Sequence, residues 1–173
     1  HVIGLDLDAR RVALAISAGA DQAYVSSEVD VLNEIRHSTG DHGVDATVIT
    51  AASASDAIVQ QAMEITRKKG RVVVVGAVGL GLKRSPFYEK EIDFLISSSY
   101  GPGRYDPRYE TQGLDYPFAY VRWTENRNMA EYLRLIADLR VRVEPLVAAR
   151  FPVEEAPAAY ASLSEGATRP IMV

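Results

Sequence analysis

The chain has 173 residues, of which 47% are hydrophobic and 24% charged, with a formal net charge of −4. That suits one soluble globular domain, and mixed charge without a clustered basic face argues against a nucleic-acid or anionic-membrane partner. With no cysteine, disulfides and thiolate zinc sites are excluded. The histidines His1, His37 and His42 lack ligand spacing. His37 and His42 lie in a polar stretch beside Gly40 and Gly43 and read as solvated loop residues. No apolar run approaches the ~20 residues that span a bilayer. With no signal peptide in view, the expected location is cytoplasmic.

In chain order, Val2-Ile3-Gly4-Leu5 reads as a short buried strand. Residues 9–18 place Val12, Ala15 and Ile16 on one helical face, and Gly19 ends that helix. Residues 46–49 form the next strand. Residues 55–69 form a second helix with Ile58, Ala62 and Ile65 inward. It is expected to finish in Arg67-Lys68-Lys69-Gly70, cations and a glycine suiting a last turn. Val72 to Val75, after Arg71, read as a strand buried on both faces because the run does not alternate. Phe94–Ser97 form another strand. Strands alternating with helices imply right-handed crossovers and a mainly parallel sheet, hence a doubly wound α/β fold.

Residues 101–123 break the pattern, with three prolines, three glycines and many aromatics. A stretch so rich in turn residues, and so long, is either a functional loop or one lying against another domain. An amphipathic helix follows over 127–139, with Met129, Leu133, Ile136 and Leu139 on one stripe. Asn128 and Glu131 have capping-box spacing for its start. A last helix over 154–165 carries Pro157 in its first turn, where proline is tolerated. Ile171-Met172-Val173 reads as a final strand.

Asp6 stands at a strand end before a helix. In dinucleotide-binding folds an acid there hydrogen-bonds the adenosine ribose and disfavours the extra phosphate of NADP. The alternative is that Asp6 or Asp8 caps the next helix. Arg10 and Arg11, just beyond, could accept a 2′-phosphate, so NAD is favoured with NADP open. The segment Gly76-Ala77-Val78-Gly79-Leu80-Gly81 has the wrong glycine order for the pyrophosphate fingerprint. Its first glycine still lets a flat ring approach the backbone.

The segments VIGLDLDARRVALAISAGAD (2–21), GVDATVITAAS (43–53), KKGRVVVVGAVG (68–79), KEIDF (90–94) and FPVEEAPAAYASLSEGATRP (151–170) come in a specific order and spacing. Together they resemble the cofactor domain of the medium-chain, zinc-type alcohol-dehydrogenase-like family along nearly the whole chain. Residues 99–129 resemble a subgroup fused to a second oxidoreductase domain of the Gfo/Idh/MocA type, associated with polysaccharide or nucleotide-sugar pathways.

The resemblance implies a Rossmann-type domain over 1–173 with an insertion at 101–123. It lacks its first strand, Gly loop and helix, as in the middle of a longer protein that does not start at His1. It implies Asp6 as the ribose acid, with Arg11 beside it. Thr50, Ala51 and Ala52 would lie beside ribose and nicotinamide, and Gly76 and Ala77 under the nicotinamide. Ser99, Tyr100 and Gly101 would offer backbone to the carboxamide, and Arg169 would pair with the pyrophosphate. The family's zinc ligands and proton relay belong to a barrel-like domain that this sequence does not contain, so no catalytic residue is named. The parent is expected to move a hydride between NAD(P) and an alcohol or carbonyl of a small-molecule substrate. Self-association is expected through exposed sheet edges, as a homodimer using Phe94–Tyr100. Cofactor binding by this chain alone is expected to be poor. The alternative is a non-catalytic nucleotide-binding regulatory module. Tyr105, Tyr109, Tyr116 and Tyr120, interleaved with Arg104, Arg108 and Arg122, are expected to pack the long loop onto its neighbours.

Overall fold

The computed structural model describes residues 1–164 and Met172, and its contacts divide the chain into two compact units, His1–Glu125 and Asn126–Val173. In the first unit the order is β1 (Ile3–Asp6), α1 (Ala9–Ala18), β2 (Gln22–Val25), α2 (Val31–Ser38), β3 (Val44–Ile49), α3 (Ala57–Ile65), β4 (Thr66–Val74), α4 (Arg84–Phe87), β5 (Asp93–Ile96) and α5 (Pro107–Glu110). Every strand pairing is parallel, as the alternation of strands and helices requires. Among the described residues the strands form two sheets, β1-β2 and β3-β4-β5, in which β1 and β3 each carry a strand on one edge.

The main core lies where α3 packs on β3 and β4. Val59, Ala62 and Met63 from the helix meet Ile49, Val72 and Val74 from the strands, with Ile92 beside them. A second cluster joins Val31 and Ile35 of α2 to Ile65, with Ile3 and Leu5 of β1 and Val44 of β3 packed against it. The valine run of β4 is not buried on both faces as expected. Val72 is fully buried and Val74 nearly so, whereas Val73 between them is part-exposed and Val75, just past the strand, is 53% exposed. Val48 and Leu95 are exposed as well. This sheet therefore has one covered face and one open apolar face.

Three places correct the sequence expectations: β2, α2 and the junction of α3 with β4. β2 and α2 lie where no element was expected, and His37 sits in the last turn of α2 rather than in a loop. The helix expected over 55–69 stops at Ile65, and residues 66–70 begin β4 instead. The cations there do not cap the helix. Thr66 turns extended, and its hydroxyl donates to the Ala62 carbonyl at 2.7 Å. Lys90 Nζ, from the β4–β5 connection, donates to the carbonyls of Met63, Glu64 and Thr66 at 3.1, 2.6 and 2.8 Å. The orphan carbonyls of the last turn are thus satisfied from a distant residue, and the local cations are free to extend. Arg67, Lys69 and Arg71 pair with Asp45, Glu91 and Asp93.

The long loop has its own small core. Tyr109 is buried, its ring stacks on Tyr116 at 5.6 Å, and its hydroxyl lies 3.1 Å from Thr124 Oγ1. Tyr116 donates to Asp106 Oδ2 at 2.5 Å, and Arg104 pairs with Glu110. Gly103 lies flat against the Tyr109 ring, where a Cβ would not fit. Tyr105 and Tyr120 remain exposed, so only two of the four interleaved tyrosines pack, and they pack within the loop.

α6 (Glu125–Ala137) begins at the boundary of the two units, and α7 (Ala156–Ser164) lies in the second. α6 starts three residues before Asn128, so the expected capping box lies inside the helix. Its stripe is open, with Met129 and Leu133 exposed and Leu139 beyond the helix end. Pro157 sits in the first turn of α7, behind a 3₁₀ turn at Val153–Glu155. Met172 forms a parallel bridge with Val147, while Ile171 and Val173 lie outside the described residues.

Candidate functional site

In a parallel sheet the carboxyl ends of the strands share one edge, and the loops leaving them are where open α/β sheets bind ligands. Every described candidate except Arg11, which lies in the helix after β1, follows from such an end. Asp6 closes β1. Thr50, Ala51 and Ala52 follow β3, Gly76 and Ala77 follow β4, and Ser99, Tyr100 and Gly101 follow β5. Arg169 lies outside the described residues.

The structure joins two of these groups tightly. Gly76 donates its amide to the Ile49 carbonyl at 2.9 Å and faces the Thr50–Ala51 backbone. A Cβ at position 76 would collide with the Ala51 carbonyl, so only glycine fits this approach. The two loops continue side by side: Ser53 donates to the Ala77 carbonyl at 2.8 Å and Gly79 to the Ser53 carbonyl at 3.1 Å. Asp56 then latches them, its Oδ1 accepting the Gly81 amide at 2.7 Å. Sequence reasoning missed Ser53 and Asp56. The glycines at 79 and 81 carried the signal, since a side chain at either would strike Asp56. With those two amides already donated to protein acceptors, the segment is not a free phosphate loop, in keeping with its glycine order.

Beyond β5, the Ser97 amide donates to the Val74 carbonyl at 2.8 Å. Ser99 and Gly101 both have positive φ, 47° and 102°, and the Gly101 amide closes a turn on the Ser98 carbonyl at 2.9 Å. Tyr100 is exposed, with the Arg104 guanidinium 5.9 Å from its ring centre.

Asp6 and Arg11 stand on the other sheet. Asp6 Oδ1 accepts the Asp8 amide at 2.9 Å, and its Oδ2 lies 3.9 Å from Arg11 Nη1. The capping role belongs to Asp8, which accepts the Arg10 amide at the N-terminus of α1. The carboxylate of Asp6 is therefore left at the strand end as a part-exposed acceptor. Gly19, in the left-handed region at φ 112°, closes α1 as expected.

Residues 1–112 match the family model described as zinc-binding dehydrogenase. The chain belongs to the zinc-binding dehydrogenase family. Among the curated relatives of this zinc-binding dehydrogenase chain is a D-arabitol-phosphate dehydrogenase of Enterococcus avium, 23% identical over 98% of the chain and 42% of the relative. Among solved structures, an alcohol dehydrogenase zinc-binding domain protein of Burkholderia ambifaria matches with a TM-score of 0.68. It is 24% identical, over 94% of this chain and 38% of that one. A short chain alcohol dehydrogenase of E. coli CFT073, solved with NADH, matches with a TM-score of 0.70 and 16% identity, over 98% and 42% of the two chains. The fold is accordingly the Rossmann-type α/β fold of these dehydrogenases, and the chain spans about two fifths of the length of the relatives it matches. Among the described residues, no group of three or more His, Cys, Asp or Glu could hold a metal ion.

Proposed function

We propose that the chain is the nucleotide-binding part of an NAD(P)-dependent oxidoreductase, and that 1–173 is a partial dinucleotide-binding domain. The observation that carries this reading is a pair of strand-end features: a part-exposed acid at the end of β1 and a glycine-only approach at the end of β4. They suit the two halves of a dinucleotide, one needing a hydrogen-bond acceptor and the other a backbone free of side chains.

When bound, a nicotinamide dinucleotide supplies the carbon that gives or takes a hydride. The chain's own residues bind and orient. Asp6 accepts hydrogen bonds from the adenosine ribose hydroxyls, with Arg11 beside it. Thr50, Ala51, Ala52, Gly76 and Ala77 form the floor on which the flat ring rests. Ser99, Tyr100 and Gly101 offer backbone groups to the carboxamide. Arg169 offers a guanidinium fork to the pyrophosphate. NAD is the favoured cofactor, and the parent's substrate is an alcohol or carbonyl. The D-arabitol-phosphate dehydrogenase relative supports a sugar derivative. We further propose a cytoplasmic homodimer associating through the Phe94–Tyr100 region, whose β5 forms the outer strand of its sheet.

Calorimetric titration of NAD and NADP into the chain tests the reading. Binding of NAD that weakens in both Asp6→Ala and Arg169→Ala supports it. Titrations in which neither substitution changes the heat would contradict it.

A further inference from the structure

Four charged residues crowd the end of β1 and the start of α1: Asp6, Asp8, Arg10 and Arg11. Their pairing is uneven. Asp8 grips Arg10 with both carboxylate oxygens, Arg10 Nε donating to Oδ1 at 3.0 Å and Nη2 to Oδ2 at 2.6 Å. The Arg10 amide adds a third bond to Oδ1 at 2.9 Å. Through this pairing the Asp8 carboxyl is held below the usual carboxylate range and the Arg10 guanidinium above its ordinary value. Asp6 and Arg11 are held loosely, at 3.9 Å, which is beyond hydrogen-bonding distance.

The two forms of a ribose ask for opposite groups. A 2′-hydroxyl is a donor that a carboxylate accepts. A 2′-phosphate is an anion that a guanidinium fork matches on two oxygens. Arg10 would be the natural fork in this loop, but its Nε–Nη2 edge is turned onto Asp8. We propose that Asp8 is a specificity-determining residue: by engaging the Arg10 fork, it makes this strand end accept an adenosine ribose with a free 2′-hydroxyl and discriminate against a 2′-phosphate.

This inference rests on the nucleotide-binding reading, and its test separates the two. The probes are 5′-AMP and adenosine 2′,5′-bisphosphate, titrated at low salt into the chain and its variants. Their affinity ratio is taken within each variant, so that differences in folded fraction cancel. Asp8→Asn keeps a capping acceptor and removes the charge, and Asp8→Ser does the same with a shorter side chain. Both are expected to shift the ratio toward the bisphosphate by roughly 1.5-fold to fivefold, the range of exposed charge pairs. Adding Arg10→Gln to Asp8→Asn is expected to return the ratio to the parent value. An unchanged ratio in both single variants overturns the proposal and leaves the nucleotide reading standing. A shift that survives the loss of Arg10 overturns it too. If neither nucleotide binds any variant, the nucleotide reading fails and the proposal with it.

Discussion

The two sheets of the first unit end in different ways. At the end of β3-β4-β5 the chain is organised by close backbone approach, with Gly76 against Ala51 and the Gly79–Gly81 segment latched to Asp56. At the end of β1-β2 it is organised by four part-exposed charged side chains. The first arrangement is set by which atoms are missing and tolerates little change. The second is set by charge in a screened environment, so it tolerates substitution but determines selectivity.

The largest expected effect breaks the first arrangement. Gly76→Val places side-chain atoms on the Ala51 carbonyl, which as backbone in a tight loop cannot swing aside. The cost should exceed the ~1–3 kcal/mol of ordinary overpacking, read as a lowered midpoint in urea unfolding. Next comes the core under that sheet. Met63 is fully buried, so Met63→Ala should lose about 2–5 kcal/mol. The same truncation at Leu133, on the open stripe of α6, should stay within ~0.5 kcal/mol. Lys90→Met leaves the carbonyls of Met63, Glu64 and Thr66 without their shared donor. As the site is only partly buried, ~1–2 kcal/mol is expected, with faster amide exchange in the last turn of α3.

A smaller, local effect concerns pH. Asp106 is held below the usual carboxylate range, first by the Tyr116 hydroxyl and then by the Arg108 amide. Its folded value lies below its unfolded one, so its contribution is complete above about pH 4. It is lost as pH falls through the folded value. Near-ultraviolet circular dichroism of the tyrosines should show a transition below that pH, and Asp106→Asn should abolish it.

The sequence made some of this architecture legible and hid other parts for physical reasons. α1 was legible because its apolar face repeats at helical spacing and Gly19 supplies the left-handed closing residue. β3 and β5 were legible as short apolar runs. β2 and α2 were not: Gln22–Val25 is short and half polar, and α2 buries only Val31 and Ile35 among polar neighbours. The end of α3 was misread because Arg67, Lys68, Lys69 and Gly70 imitate a local helix stop. The actual cap comes from Lys90, which local patterns do not reveal. At the candidate site, the strand ends carrying Asp6 and Gly76 followed from the apolar runs before them. The latch by Asp56 is 25 residues from Gly81, so its only trace in the sequence is the pair of glycines at 79 and 81, which do not name their partner. The Asp8–Arg10 pairing needed geometry to separate a capping residue from a ribose acid.

The central claim is that the carboxyl ends of these strands bind a nicotinamide dinucleotide, and amide chemical-shift mapping of the labelled chain with NAD tests it most directly. The account predicts that the largest shifts fall on Asp6 to Arg11, Thr50 to Ser53, and Gly76 to Ala77. Shifts confined to other surfaces would contradict it.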